Sequence, residues 1–354
     1  MRYRSFLLLS WIFCRGVASS LFGTMGSVLT YQNEPIQLRG ISWYGTEMIN
    51  QVVEGLWQYP MDHYLDILVD HSFNALRIPF SVDMMFYKNS TVPDPNLIQA
   101  DASLANMTSL EILDQLFRKC GERGIVILLD CHRISMSNPT PYWYIPNSSY
   151  FTEDIFFENW RRVLDHFSVY PNLLGVEIYN EPHGNATMDE FSRMVVRLLD
   201  LHPTDVLLFI DGVEWGHDFR ELYGLNPFTP RSQIVYGPHV YGPTLTPLLR
   251  YTEEYVEYLY NQYFGFLQEQ YNASICITEW GYNSNNVPDT QWAELFVRYL
   301  VDHDIHNQFL WALNPNGKDI KGLLKPDWKT IHREKLILVE RVSPAPTRFA
   351  PFFF

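Results

Sequence analysis

GVEIYNEPHG (residues 175–184) is a short apolar, β-branched run that stops at an amide, a carboxylate and a proline. It is too continuous for a half-solvated strand and too short for a helix. It therefore reads as a parallel strand covered on both faces. The same signature recurs at 36–43, 75–78, 125–131, 206–211, 234–239, 274–278 and 309–312. Amphipathic stretches at 110–120, 158–167, 188–201, 255–269 and 290–303 lie between the runs. Thr187 or Asp189 can cap one helix, and Asp289 or Thr290 another. Eight runs alternating with helices every ~35–45 residues predict a single-domain α/β fold, a (β/α)8 TIM barrel. An open doubly wound sheet is the alternative, but no glycine-rich first turn supports it. Residues 28–36 read as a hairpin turning at Asn33-Glu34 and closing the barrel floor.

The 354 residues fit either two ordinary domains or one barrel. With 47% hydrophobic, 16% aromatic and only 19% charged residues, the chain implies a large packed core rather than disorder. A formal net charge of −14 argues against nucleic acid as a partner, and no basic run suggests anionic lipid. Residues 1–19, MRYRSFLLLSWIFCRGVAS, combine a basic start with an apolar run too short to span a bilayer. They read as a signal peptide cut after Ala18 or Ser19, with a buried first helix as the alternative. Residues 20–342 then form the barrel domain and 343–354 a C-terminal tail. No later stretch reaches the ~20 apolar residues of a membrane span. Sequons begin at Asn89, Asn106, Asn147, Asn185 and Asn272, in keeping with secretion and an extracellular, glycosylated monomer.

Once Cys14 leaves with the leader, Cys120, Cys131 and Cys276 remain. Two of them sit in strand-like runs, which favours buried small hydrophobes, with a Cys120–Cys131 bridge left open. No Cys or His pair has metal-ligand spacing, so neither metal nor cofactor is expected.

In a barrel, chemistry gathers at the C-terminal ends of the strands. Those ends carry Trp43, Arg77, His132, Asn180-Glu181, Asp211, His239 with Tyr241, Glu279 and Trp311. Glu181 closes the fourth run, and Glu279 closes the seventh in ICITEWGY (275–282). Two carboxylates facing each other across a barrel mouth suit glycoside hydrolysis, one protonating the leaving oxygen and one attacking the anomeric carbon. A separation of about 5 Å would mean a covalent intermediate and retained configuration. An arginine near Glu279 would keep it ionised, and a more apolar setting would keep Glu181 protonated. Glu177, inside its run, is a buried charge that needs a partner such as Arg77 or Arg39. Trp43, Trp57, Trp143, Tyr142, Trp215, Trp280 and Trp311 are candidate platforms for sugar rings, with core packing as the alternative for each.

The segments RGISWYGTE (39–47), GLW (55–57), NALRIPFS (74–81), ILLDCHR (127–133), GVEIYNEPH (175–183), HVYGP (239–243), ITEWGY (277–282) and NPNGKDIKGLLKPDW (314–328) together resemble glycoside hydrolase family 5. Within it they are similar to secreted endo-β-1,4-glucanases of the actinomycete type. The resemblance runs from about residue 34 to about residue 330. It implies that Glu181 is the acid/base and Glu279 the nucleophile, with Arg77 holding Glu279 ionised and Tyr241 orienting it. It further implies that Asn180 bonds the sugar 2-hydroxyl, that His239 lies near Glu181, that His132 lines the same subsite and that Trp311 stacks beneath the sugar. The implied substrate is a β-1,4-glucan. A mannan, a mixed-linkage glucan or a non-catalytic glycan-binding role are the competing readings. Leu313 stands where many bacterial relatives carry a second tryptophan, and Thr278-Glu279-Trp280 replaces a common Gly-Glu-Phe.

Overall fold

The eight apolar runs form eight parallel strands: β1 (Arg39–Ser42), β2 (Ala75–Ser81), β3 (Val126–Arg133), β4 (Leu173–Glu177), β5 (Leu207–Ile210), β6 in two pieces (Ile234–Tyr236 and His239–Tyr241), β7 (Ile277–Gly281) and β8 (Gln308–Leu310). This computed structural model describes residues 21–137, 139–202, 204–228 and 233–354. The predicted leader, 1–19, lies outside them. The hydrogen-bonded order runs from the second piece of β6 through β7, β8 and β1 to β5, and ends on the first piece of β6. Both edges of the sheet thus belong to one strand, broken only at Gly237-Pro238, and the sheet closes into the expected barrel. Proline cannot donate to the ladder, and a side chain on Gly237 would meet Thr278 Oγ1 at 2.6 Å.

The surrounding helices are α1 (Met61–Asp70), α2 (Ser109–Glu122), α3 (Glu153–Phe167), α4 (Met188–Leu201), α5 (Glu253–Tyr260), α6 (Val287–Asp302) and α7 (Arg333–Val342). Threonines start four of them. Thr108, Thr152, Thr187 and Thr252 each accept a main-chain N–H from the first turn, and Thr108 closes a full capping box with Glu111. Asp289 caps nothing. It is buried inside α6, where it accepts from Thr244 and Asn283, and Asn286 opens that helix with a proline behind it. The stretch read as one helix over 255–269 passes through a π turn at Asn261–Gly265 before continuing as Phe266–Tyr271.

Two apolar clusters hold the layers together. The larger lies between barrel and helices. The smaller fills the barrel floor with Leu128, Leu174, Leu207, Phe209, Val235, Cys276 and Phe309. An N-terminal meander (Phe22–Met25, Val28–Tyr31 and Glu34–Pro35) covers that floor, turning at Gln32-Asn33, both with positive φ, rather than at Asn33-Glu34. Residues 343–354 pack under the same floor: Phe352 is buried, and Phe349 meets Phe22 and Tyr31 edge-on. Cys120, Cys131 and Cys276 are buried free thiols, so no Cys120–Cys131 bridge forms. Among the described residues no helix is long and apolar enough to cross a membrane.

Candidate active site

Side chains alternate along a strand, so the inward positions above the apolar floor form a layer of their own. Here that layer is charged. Arg77, on β2, is fully buried and reaches three strands at once: Nε donates to Glu177 Oε2 at 2.5 Å, Nη1 donates to Glu279 Oε2 at 2.7 Å, and Nη2 is ion-paired with Asp130 Oδ2 at 2.9 Å. Nη2 also donates to Asn180 Oδ1 at 2.8 Å. The buried Glu177 therefore finds its partner in Arg77, not in Arg39. Arg39 turns instead to the carbonyls of Ser343 and His71.

Glu279 lies in β7, opposite His239 on β6. Arg77 holds one of its oxygens, and the Tyr241 hydroxyl donates to the other. Glu181 follows β4 with φ +52. Its main-chain N–H donates to Asp211 Oδ2 at 2.8 Å, and its Oε1 accepts from His239 Nδ1 at 3.0 Å. Ligand-type atoms of Glu181, His239 and Glu279 all lie within 4.8 Å of one another, so the two carboxylates face each other closely. Glu177, Asp211 and His239 form a second such cluster deeper in the barrel. The clusters share His239, whose ring nitrogens already face carboxylates at 3.0 to 3.4 Å, as in a hydrogen-bond network.

Two cations, Arg77 and His239, serve five carboxylates in this layer. Burial works against the Arg77 charge, yet Asp130, Glu177 and Glu279 overcome it and push its pKa well above the usual value. Burial would likewise neutralise His239, but Asp211, Glu279, Glu177 and Glu181 raise it far enough to make the ring an imidazolium. Burial drives Asp130 and Asp211 well above the ordinary carboxylate range, beyond what Arg77 and His239 offset. Glu177 goes the other way: Arg77 and His239 outweigh burial and hold it well below that range.

The two facing glutamates reverse the expectation from sequence. Glu279, its side chain 5% exposed, is raised by burial, which His239 and Arg77 only partly offset. Glu181, 20% exposed, is lowered because the His239 hydrogen bond and charge outweigh burial. The sequence showed Arg77 but could not show that an imidazolium would sit against Glu181. What distinguishes the two groups is the set of donors fixed against each, Arg77 and Tyr241 on Glu279 and His239 on Glu181.

His132 also reaches the cleft. Its Nδ1 is 2.7 Å from Asp130 Oδ2, its ring is parallel to Trp311 at 5.4 Å, and burial pushes its pKa down to about 4, leaving it neutral. Trp311 is half-buried and parallel to Tyr44 at 5.3 Å. The network thus joins Glu181, Glu279, Arg77, Asn180, His239 and Tyr241, with His132 and Trp311 beside it. Trp43 does not belong to it. Its ring is fully buried beside Tyr64, with Nε1 donating to the Glu54 carbonyl, because just past the end of β1 it points outward to the helices. Trp143 and Trp280 are core residues too, bonded to Glu153 and Gln308. Trp57 is half-buried and edge-on to Trp328. Trp215, 52% exposed, stacks on His183 at 3.8 Å beside Glu181.

Several participants escaped the sequence reading. Asp130 lies two residues before His132, on the same strand face, and that period-2 spacing was its only signal. Tyr44 is held by Asn314 at its main chain and by Asn316 at its hydroxyl, and Asn316 in turn donates to the buried Glu54. These polar residues sit in loops whose meeting no local pattern announces.

Residues 29–317 match the cellulase family, glycosyl hydrolase family 5. An endoglucanase of Paenibacillus polymyxa is 27% identical over 332 residues, covering 86% of this chain and 82% of its own. The major extracellular endoglucanase of Xanthomonas campestris pv. campestris is 25% identical, over 86% of this chain and 67% of its own. A solved complex of an endocellulase from Pyrococcus horikoshii with cellotetraose superposes with a TM-score of 0.80 at 25% identity, covering 91% of this chain and 98% of that one. A match across most of the chain, on a closed barrel with paired carboxylates at its mouth, makes this protein a member of glycosyl hydrolase family 5.

Proposed function

We propose that this chain is a secreted, retaining endo-β-1,4-glucanase with Glu279 as nucleophile and Glu181 as acid/base. The observation that carries the retaining mechanism is the approach of the two carboxylates to within 4.8 Å. That gap is too narrow for the intervening water of an inverting enzyme and matches the ~5–5.5 Å of retaining ones. Arg77 and Tyr241 engage both oxygens of Glu279 and fix it facing the anomeric carbon. The Glu181 carboxylate has one side-chain partner, the buried His239, and otherwise faces the cleft, where a proton can be given and returned.

In the first half-reaction Glu279 bonds to the anomeric carbon as the bond to the leaving oxygen breaks, and that oxygen takes the Glu181 proton. In the second, water attacks the same carbon, gives a proton to Glu181 and releases Glu279. With both carboxylates needed in opposite protonation states, the proton belongs on Glu181 once a sugar covers Glu279. Asn180, held by Arg77, faces the 2-hydroxyl of the reacting sugar, Trp311 and His132 border that ring, and Trp215 lies on the leaving side. The endoglucanase relatives and the cellotetraose bound by the Pyrococcus horikoshii enzyme support β-1,4-glucan as substrate. Secretion draws support from the leader-like residues 1–19, the extracellular Xanthomonas relative and the surface exposure of Asn106, Asn147, Asn185 and Asn272.

The test is product analysis on cello-oligosaccharides, mixed-linkage glucan and galactomannan, following the first-formed anomer by NMR. Hydrolysis of the β-1,4-glucans to the β-anomer is expected. Glu279→Ala should lose nearly all turnover and regain part of it with azide. An α-anomer as first product, or near-normal turnover in Glu279→Ala, would refute the assignment.

A further inference from the structure

Behind Glu181 lies a carboxyl that the chemistry above does not use. Asp211 follows β5 directly and is fully buried. Its Oδ2 accepts the Glu181 main-chain N–H at 2.8 Å and lies 3.4 Å from His239 Nε2. The same ring nitrogen faces Glu177 Oε1 at 3.3 Å, while Nδ1 donates to Glu181 Oε1 at 3.0 Å. Asp211 therefore touches Glu181 at both ends, its main chain directly and its carboxyl through the imidazole.

Glu181 needs such a hold. Its φ of +52 lies in the left-handed region that a side chain with a Cβ rarely adopts, and a residue stays there only when its surroundings over-determine it. Asp211 is itself well anchored. The chain after it folds back so tightly that a side chain on Gly212 would meet the Asp218 main chain at 2.6 Å, and the Gly212 and Val213 amides are both bonded within that loop. No N–H or hydroxyl donor faces Asp211 Oδ1, and the Asp211 carboxyl also shares a hydrogen bond with Glu177, so the hold on the Glu181 main chain falls on Oδ2.

We propose that Asp211 is a positioning residue for the acid/base, fixing the left-handed main chain of Glu181 and, through His239, aiming its carboxyl at the departing sugar oxygen. The inference rests on the reading of Glu181 as acid/base. The groups that face Asp211 are Glu177 from β4, Glu181 from the loop beyond it and His239 from β6.

The experiment separates a positioning role from a merely structural one by leaving group. Cellotetraose needs its departing oxygen protonated, whereas 2,4-dinitrophenyl β-cellobioside expels a leaving group that needs no proton. kcat/KM reports the glycosylation step for both. Asp211→Ala should lose roughly 100-fold on cellotetraose, the lower range of what a general acid supplies, and stay within about threefold of wild type on the dinitrophenyl substrate. Asp211→Asn keeps an oxygen for the Glu181 N–H and offers an amide N–H to Glu177 in place of the carboxyl. It should lose only about tenfold on cellotetraose, with the same selectivity. If the alanine variant does not fold, the asparagine variant carries the test alone. Losses equal on both substrates, or no loss, would overturn the proposal. Glu181→Gln on the same pair tests the underlying reading separately: a loss equal on both substrates there removes Glu181 as the acid, whatever Asp211 does.

Discussion

Replacing Arg77 by Met keeps an unbranched apolar stem and deletes the guanidinium, leaving Asp130, Glu177 and Glu279 facing one another without their cation. Breaking a buried ion pair by removing one partner costs about 3–5 kcal/mol, because the other charge stays buried and uncompensated. The variant should therefore be destabilised by that amount at pH 7, lowering its melting temperature by roughly 5–10 °C for a domain of this size. The cost must also depend on pH. In the wild type Glu177 is held well below the ordinary carboxylate range, since Arg77 outweighs burial, so it stabilises the fold above that range and loses this only as pH falls through its depressed native value. Without Arg77, burial pushes Glu177 up, and the native variant keeps a proton that the native wild type has shed. Wherever those protonation states differ, the gap in stability widens by up to about 1.4 kcal/mol per pH unit. Urea unfolding of both proteins at pH 4, 5.5 and 7 measures this directly. The gap should grow steadily with pH. A deficit below about 1 kcal/mol at pH 7, or one as large at pH 4 as at pH 7, would refute the account of Arg77 as the charge centre of the barrel.

Three further outcomes follow from single contacts. Tyr241→Phe removes the hydroxyl that donates to Glu279, and a hydrogen bond to a charged group is worth about 1.5–3 kcal/mol, so kcat/KM on cellotetraose should fall roughly 10- to 100-fold with the melting temperature little changed. Trp215→Ala removes a half-exposed ring stacked on His183. Steady-state kinetics should give a higher KM for long oligosaccharides, and calorimetry a stability within about 0.5 kcal/mol of wild type. Deleting residues 349–354 exposes the barrel floor where Phe349 and Phe352 pack. At about 1.5–3 kcal/mol for a fully buried Phe, the truncated protein should unfold at clearly lower urea with activity at 25 °C retained; an unchanged midpoint would show that the tail contributes nothing.

The barrel was legible because β-branched runs and amphipathic helices alternate along the whole chain, each declaring its period locally. Glu181 and Glu279 were legible because apolar runs end on them. What stayed hidden depends on parity and on distance through space. Trp43 and Trp311 both close apolar runs, yet one turns out to the helices and the other lies beside His132; a one-residue change in register exchanges such fates. Asp211 showed only as a polar residue ending its run and Asp130 only by its spacing from His132, so neither announced its partner. Asp130 pairs in register with Glu177, and Asp211 meets His239 from an adjacent strand, facts fixed by closure of the sheet rather than by either segment. The reversed tendencies of Glu181 and Glu279 were hidden for the same reason, since they hinge on the His239 ring lying against Glu181.

The layered interior explains why this site can be both rigid and reactive. The apolar floor of Leu128, Phe209 and Phe309 supplies the burial that stabilises the barrel, while the charged layer above it opposes folding through the desolvation of its carboxylates. Two cations cannot balance five carboxylates, so the layer stays buried only by retaining protons. Asp130 and Asp211 are both pushed toward the protonated form, and Glu177 remains the firmly ionised member beneath Arg77 and His239. At the mouth, Glu279 is raised by burial while His239 lowers Glu181. A fully paired layer would be more stable and would have no proton to move. An unpaired one could not stay folded around the cation that aims Glu279. The surplus of acids over cations, an expense in stability, thus leaves the two glutamates at the mouth with unequal holds on a proton, Glu279 raised by burial and Glu181 lowered by His239.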